Sequence, residues 1–132
     1  MVYKWIEVLQ VLSALGLINV WIIRSGVTTP YRGGDAKTLR DEFITYGLPT
    51  WIFYTVGFLK IAAAVALVVG IWKTQLIVPA SGIVCVLMVG ALAMHFKVKD
   101  SVIKSLPALG MLLINATILT ASFDNIRVLA LN

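Results

Sequence analysis

Lys60 has the side chain that is hardest to explain by packing alone. It lies inside an apolar run, residues 51–72, about 13 Å from one end of that run if the run is a helix. A charge at the centre of a bilayer costs about 2.5–3.5 kcal/mol on insertion scales, so such a residue usually faces a protein interior. We expect Lys60 to form a polar wall of a ligand cavity. Two other interpretations also fit the sequence: the lysine side chain extends to the membrane surface, or it pairs with Glu7.

Polar side chains occur inside other apolar runs as well. Asn115 lies about 12 Å from the same side of the membrane. We expect it across the cavity from Lys60, or else joining two helices through a hydrogen bond. Glu7 and Gln10 are three residues apart and share a helix face, where they either accept a polar ligand together or bond a neighbouring helix. Cys85 is the single cysteine and is typical of a small buried hydrophobe.

His95 is the only histidine. It lies at the end of another apolar run, on the side of the membrane where we expect a long polar stretch. Its side chain can relay protons near neutral pH, or it can bond the polar stretch above it. We expect no metal site, because a second histidine at ligand spacing is absent. The lone Cys85 also excludes a disulfide framework and a CxxC redox pair within one chain.

Four apolar runs must position these side chains. Each is about 20 residues long, which is the length that a helix needs to cross the hydrocarbon core. Hydrophobic residues make up 60% of the 132 residues, charged residues make up 13%, and the mean hydropathy is +0.95, whereas soluble domains carry about 25% charged residues. The composition predicts an all-α integral membrane four-helix bundle, with residues 1–132 forming one membrane domain. The runs are residues 5–23, 51–72, 76–96 and 106–123.

Residues 24–50 are the long first loop, between the first two runs. Within it, Thr38 followed by Asp41 predicts the start of a short helix, and Gly47 in a Gly-Leu-Pro sequence predicts its end. We expect this amphipathic helix to lie on the membrane surface or over the mouth of the bundle. Its apolar face consists of Leu39, Phe43 and Tyr46.

The net charge of +5 comes mostly from basic residues in short segments between the runs. This distribution favours contact with membrane lipid and argues against a nucleic-acid partner. Seven basic residues fall on the side of the first and third loops and three on the side of both termini, so the positive-inside rule places loops 1 and 3 in the cytoplasm. The seven are Arg24, Arg32, Lys37, Arg40, Lys97, Lys99 and Lys104, and the three are Lys4, Lys73 and Arg127.

Three short stretches resemble the DoxX-like family of small four-helix bacterial membrane proteins. They are Phe43-x-x-Tyr46-Gly47-Leu48-Pro49, Gly57-x-x-Lys60 and Gly90-Ala91-x-x-x-His95. The resemblance implies that Tyr46, Lys60 and His95 are family-matching positions and that the chain resides in the bacterial cytoplasmic (inner) membrane.

The same resemblance implies a quinone-linked redox role, with a quinone as the ligand or cofactor and a redox protein as partner. DoxX-like proteins are similar to the small subunit of thiosulfate:quinone oxidoreductase, and the bundle looks like that of vitamin K epoxide reductase. The chain departs from the thiol enzymes because it lacks a cysteine pair. A thiol–disulfide mechanism therefore does not carry over.

Three functions fit these observations. The first is a subunit that binds a lipophilic small molecule such as a quinone, with Lys60 and Asn115 bonding the ligand and His95 and Tyr46 near the mouth of the cavity. The second is a proton-coupled exporter that uses Glu7, against which the long first loop and the midplane lysine argue. The third is a scaffold that assembles other membrane proteins. The sequence does not decide between an enzyme and a binding protein, or between a homo-oligomer and a complex with a redox partner.

Overall fold

A computed structural model describes the backbone of residues 4–131 and the side chains of residues 4–124. Arg127, which entered the charge balance, lies outside the described side chains. All regular structure within the described part is helical, and four helices are long and apolar enough to cross a membrane, which confirms the predicted all-helical, membrane-spanning class. The helices are α1 (Lys4–Ile18), α2 (Leu39–Thr45), α3 (Thr50–Val69), α4 (Ile77–Lys97) and α5 (Val102–Leu131).

The ends of two membrane helices differ from the apolar runs. α3 stops at Val69, because the backbone bonds after Gly70 tighten to a spacing of three residues. The Ile71 N–H donates to the Val68 carbonyl at 3.1 Å, and the Trp72 N–H donates to the Val69 carbonyl at 3.0 Å. α5 begins at Val102, before the predicted residue 106, because the more polar residues ahead of Pro107 are also helical. Pro107 is the sixth residue of α5, so this helix lacks the backbone bond that an N–H at this position would donate to the Ile103 carbonyl.

The four long helices form a ring in which α1 and α4 each pack against both α3 and α5. Alanines make up about half of the central cluster, and they let the backbones approach closely, as is usual for helices in membranes. Large apolar side chains face outwards, among them Phe96, which is 87% exposed. The central cluster includes Ala14, Leu17, Ala63, Ala64, Leu67, Ala80, Val84 and Met88.

α1 continues into a π-helical turn, Asn19–Ile23. The Arg24 N–H bonds the Asn19 carbonyl at 2.8 Å, one residue further back than in an α-helix. Trp21 lies in this turn and packs against Gly57 of α3, where a Cβ atom would lie 2.6 Å from Trp21 Cζ3. π turns are frequent at functional sites, and this one sets an indole ring directly against α3.

In the structure the first loop consists of residues 24–49, because α3 begins at Thr50. It connects the π turn to α3 and contains α2. Thr38 Oγ1 accepts a hydrogen bond from the Asp41 N–H at 3.1 Å, which caps the start of α2. Gly47 has a φ of +76°, a left-handed conformation that glycine adopts without steric cost. Leu39 and Tyr46 are buried, so the apolar face of α2 packs inwards.

Candidate functional site

A cavity of about 600 Å³ lies among α1, α3, α4 and α5, and the first loop closes one end of it. This volume falls within the range of small-molecule sites, about 300–1,000 Å³. Most of the wall is apolar, as such sites usually are. The polar and charged residues that line it, among those described, are Asn19, Arg24, Thr29, Tyr31, Arg32, Glu42, Tyr46, Lys60, His95 and Lys104.

Lys60 lies in the cavity wall, halfway along α3. Its Nζ atom is 5.1 Å from the centroid of the Trp21 ring, which is a cation–π contact. Within the part of the chain that the structure describes, Nζ has no hydrogen-bond or ion-pair partner. The ammonium group therefore retains its hydrogen-bonding capacity for a ligand.

Aromatic rings surround Trp21. The ring centroid of Phe53 lies 5.2 Å away and that of Phe43 lies 5.7 Å away, and these two phenylalanines are 5.2 Å apart. The tilted and edge-on arrangements are those that aromatic pairs prefer. Trp21 Nε1 is buried and has no acceptor among the described residues. Trp21 lines the cavity, but this N–H group is covered by protein atoms.

Glu42 is the centre of a polar cluster at the loop end of the cavity. It is 8% exposed, and its Oε1 accepts a hydrogen bond from the Tyr46 hydroxyl at 2.6 Å. Its Oε2 lies 3.4 Å from Nη1 of Arg32, which is 5% exposed. Arg32 Nη2 also donates to the carbonyls of Arg24 and Val27, at 2.6 and 3.1 Å. These bonds hold the beginning of the first loop against α2.

His95 connects the cluster to the end of α4. It is 5% exposed, with Nδ1 lying 2.7 Å from Asp100 Oδ2 and Nε2 lying 4.0 Å from Glu42 Oε1. Asp100 Oδ1 accepts a hydrogen bond from the Gly34 N–H at 2.9 Å, and Lys104 Nζ lies 3.7 Å from the same oxygen. The imidazole therefore lies between two carboxylates, where either ring nitrogen can hold a proton.

Burial and neighbouring charges change the acidity of two groups in this cluster. Burial raises the pKa of Tyr46, and its hydrogen bond to Glu42 raises it further, so the phenol stays protonated as a donor. Burial by itself would raise the pKa of Asp100, but bonds from His95 and Gly34, with the Lys104 charge, lower it below its ordinary 3.8. Ionised Asp100 therefore stabilises the folded state above that pH, and the contribution is lost as the pH falls towards the lower folded-state pKa.

Two lysines hold the first loop in place from the bundle side. Lys97 Nζ at the end of α4 donates to the Tyr46 carbonyl at 2.8 Å, and Lys104 Nζ of α5 donates to the Gly34 carbonyl at 2.5 Å. Together with the bond from the Gly34 amide to Asp100, these contacts fix the loop over the cavity at two separate points.

Three of the six residues singled out from the sequence, Lys60, Tyr46 and His95, lie on the cavity. Asn115 does not. It is fully buried and donates to Ser13 Oγ at 2.8 Å, so it joins α5 to α1. The geometry corrects the expectation that Asn115 faces Lys60, because the rotation of α5 turns this side chain towards α1.

Gln10 and Glu7 also lie outside the cavity wall. Gln10 Nε2 donates to the Leu67 carbonyl at 2.7 Å, so it bonds a neighbouring helix, which was one of its two expected roles. Glu7 pairs with Lys4 at 3.7 Å and not with Lys60. The alternative in which the Glu7 carboxylate pairs with Lys60 is therefore wrong.

Sequence reasoning did not single out four members of the polar cluster, namely Arg32, Glu42, Asp100 and Lys104. The role of Glu42 could have been predicted, because it precedes Tyr46 by four residues and so shares its helix face. The roles of Asp100 and Lys104 could not, since their bonds to Gly34 join positions 66 and 70 residues apart.

Two comparisons with known proteins give matches. The model of the DoxX-like family matches residues 25–118, a range that contains Lys60 and the whole polar cluster. The "Uncharacterized protein YdgD" of Bacillus subtilis (strain 168) is 34% identical over 97 residues, which cover 69% of this chain and 85% of that protein. No solved structure matches the chain.

Proposed function

Because this integral membrane protein belongs to the DoxX-like family, we propose that it binds a lipophilic small molecule, a quinone being the first candidate, in the cavity beneath the first loop. The observation that carries the proposal is Lys60. An ammonium group in an apolar wall, with no acceptor among the described residues, is costly unless something else bonds it. A ligand with an oxygen acceptor supplies that bond.

The donor set fits a quinone. A quinone head has carbonyl oxygens that accept hydrogen bonds, and the wall offers Lys60 Nζ as a donor beside the Trp21 ring. Its tail needs an apolar environment, and most other side chains of the wall, such as Val56, Leu87 and Met111, are apolar. A bound quinone would supply two-electron redox chemistry.

The residues at the loop end suit proton handling next to such a ligand. His95 lies between the carboxylates of Glu42 and Asp100, and the Tyr46 hydroxyl is bonded to Glu42. This chain of buried groups can hold a proton at His95 Nε2, which is the ring nitrogen nearer to Glu42. The first loop, fixed at Gly34 and Tyr46, covers part of the cavity mouth.

Lys60→Met tests this function. At a quinone concentration about 100 times its Kd, wild-type protein should gain about 2.7 kcal/mol of stability. We expect Lys60→Met to abolish that gain, while the thermal midpoint without quinone stays equal or rises, because methionine fills the space without a buried charge. The measurement is thermal unfolding of purified protein in detergent with and without a short-chain ubiquinone.

Asn115→Leu is the matched control for Lys60→Met. It also removes a polar group from the middle of a membrane helix, but this group bonds Ser13 and does not line the cavity. The control should lower the basal midpoint and retain the full ligand-induced gain. Absence of any quinone-dependent shift in wild-type protein, or equal gains in wild type and Lys60→Met, would refute the proposed site.

We also propose that the first loop faces the cytoplasm of a bacterial inner membrane. The basis is the excess of basic residues on that side and the positive-inside rule. A green fluorescent protein fused after Asn132 should then be dark, and alkaline phosphatase fused there should be active. Bright fluorescence with inactive phosphatase would reverse the orientation and leave the cavity unchanged.

A further inference from the structure

We infer that the ligand of this cavity has a compact oxyanion head, which Lys60 binds as its counter-ion and which Arg24 attracts at the mouth. This inference rests on the proposed function and narrows its ligand class from lipophiles in general to single-headed acidic lipophiles. It comes from the balance of charge around the cavity.

The charges that line the cavity are unequal. Four basic side chains do so, namely Arg24, Arg32, Lys60 and Lys104, whereas Glu42 is the one carboxylate among the described lining residues. Clefts lined by one sign of charge and walled by low-dielectric material concentrate ligands of the opposite sign. The cavity as a whole therefore favours an anion.

Two of the four basic groups already have carboxylate partners. Arg32 pairs with Glu42 at 3.4 Å, and Lys104 pairs with Asp100 at 3.7 Å. Glu42 is further engaged by the Tyr46 hydroxyl at 2.6 Å. The protein's own carboxylates at this end are therefore committed to other partners.

Lys60 and Arg24 have no ion-pair partner, since no carboxylate lies within ion-pair distance of either in the described part of the chain. The two differ in exposure. Arg24 is exposed at the end of the π turn, where water screens its charge, whereas Lys60 lies midway along a membrane helix. An anion gains most at Lys60, because a charge pair in a water-poor site interacts far more strongly than one in water.

A single ammonium group in the wall favours a small anionic head. Lys60 Nζ lies over the Trp21 ring at 5.1 Å and has no ion-pair partner in the described part of the chain. A carboxylate, or the enolate of an acidic hydroxyquinone, concentrates its negative charge on oxygens that can accept from this one donor. A neutral ligand can accept the hydrogen bond but brings no negative charge to Lys60.

Two matched probe pairs test the inference at pH 7.5, where both acids are ionised. The first pair is dodecanoate and its methyl ester. The second is a 2-hydroxy-3-alkyl-1,4-naphthoquinone and its 2-methoxy analogue. Affinities are measured by titration calorimetry on wild-type, Lys60→Met and Lys73→Met proteins in the same detergent. Lys73 is exposed beyond the end of α3 and does not line the cavity, so its replacement controls for net charge.

The acidic and neutral members of a pair enter micelles to different extents, so we compare their affinity ratio between proteins. The ratio of acid affinity to neutral-analogue affinity should be about tenfold or more higher in wild type than in Lys60→Met, as for close charge pairs at interfaces. In Lys73→Met this ratio should equal that of wild type. If the protein prefers the acid only in the dodecanoate pair, the ligand is an aliphatic acid. If it prefers the acid only in the naphthoquinone pair, the ligand is an acidic quinone.

Equal ratios in wild type and Lys60→Met, with clear binding of the neutral probes, would overturn the anionic head and leave the proposed lipophile site standing. If none of the four probes binds wild-type protein, the inference fails, and the proposed function fails with it only if the short-chain ubiquinone also gives no thermal shift. A preference that disappears equally in Lys73→Met would reflect net charge alone and would also overturn the inference.

Discussion

Replacing Glu42 with leucine is expected to lower the free energy of unfolding by about 3–5 kcal/mol, the usual cost of removing one partner of a buried ion pair. Arg32 is 5% exposed and would keep its charge without a carboxylate. The Tyr46 hydroxyl and His95 Nε2 would lose the oxygen that lies 2.6 and 4.0 Å from them. The carbonyls that Arg32 also bonds cannot replace a full negative charge.

Glu42→Leu should loosen the first loop as well as lower the stability of the whole protein. Trypsin cleavage after Arg32 or Arg40 should accelerate, because the polar cluster holds the loop in place. The denaturant midpoint should also fall. Asp41→Leu is the control, since Asp41 is the neighbouring acid on α2 and is exposed. Its loss should cost no more than about 1 kcal/mol, mostly through the helix dipole.

The double variant Glu42→Leu with Arg32→Met separates pairing from packing. If the cost of Glu42→Leu is the uncompensated arginine, removing that arginine should restore much of the stability, giving a coupling energy of about 0.5–3 kcal/mol in a double-mutant cycle. Glu42→Leu protein that keeps wild-type stability and protease resistance would show that the cluster does not hold the loop.

The existence of the membrane helices could be predicted from the sequence, but their rotation could not. A segment surrounded by lipid is apolar on every side, so little in its pattern tells the inward face from the outward one. Lys60 was an exception, because a charge facing lipid is costly, and it does line the cavity. Asn115 can bond any neighbour, and depth alone did not reveal that its neighbour is Ser13 of α1.

The polar cluster shows a second limit. The cap of α2 involves residues three positions apart, Thr38 and Asp41, and local spacing was enough to expect it. The Asp100 carboxylate is instead hydrogen-bonded to the Gly34 amide and the His95 imidazole. Gly34 is far from Asp100 in sequence. Such a contact depends on how loops meet after the helices have packed, which no periodicity encodes.

Gly57→Ala is expected to destabilise the protein by about 1–3 kcal/mol, which is the usual cost of overpacking a close contact. A Cβ at this position would lie 2.6 Å from Trp21 Cζ3 and 3.0 Å from Cε3, so the indole must move. Its movement disturbs the contact with Lys60 and the packing with Phe43 and Phe53. The variant should therefore also weaken ligand-induced stabilisation, measured by thermal unfolding with the same short-chain ubiquinone.

Gly82→Ala in α4 is the matched control for Gly57→Ala, because nothing lies within 4 Å of the added Cβ. There the intrinsic helix preference for alanine should prevail and stabilise the protein by about 0.5–1 kcal/mol. In a Trp21→Leu background the Gly57→Ala cost should largely disappear, since the large ring is gone, and this coupling identifies the indole as the cause. A Gly57→Ala protein as stable as Gly82→Ala would mean that Trp21 does not rest against α3, and the proposed wall of aromatic rings beside Lys60 would have to be abandoned.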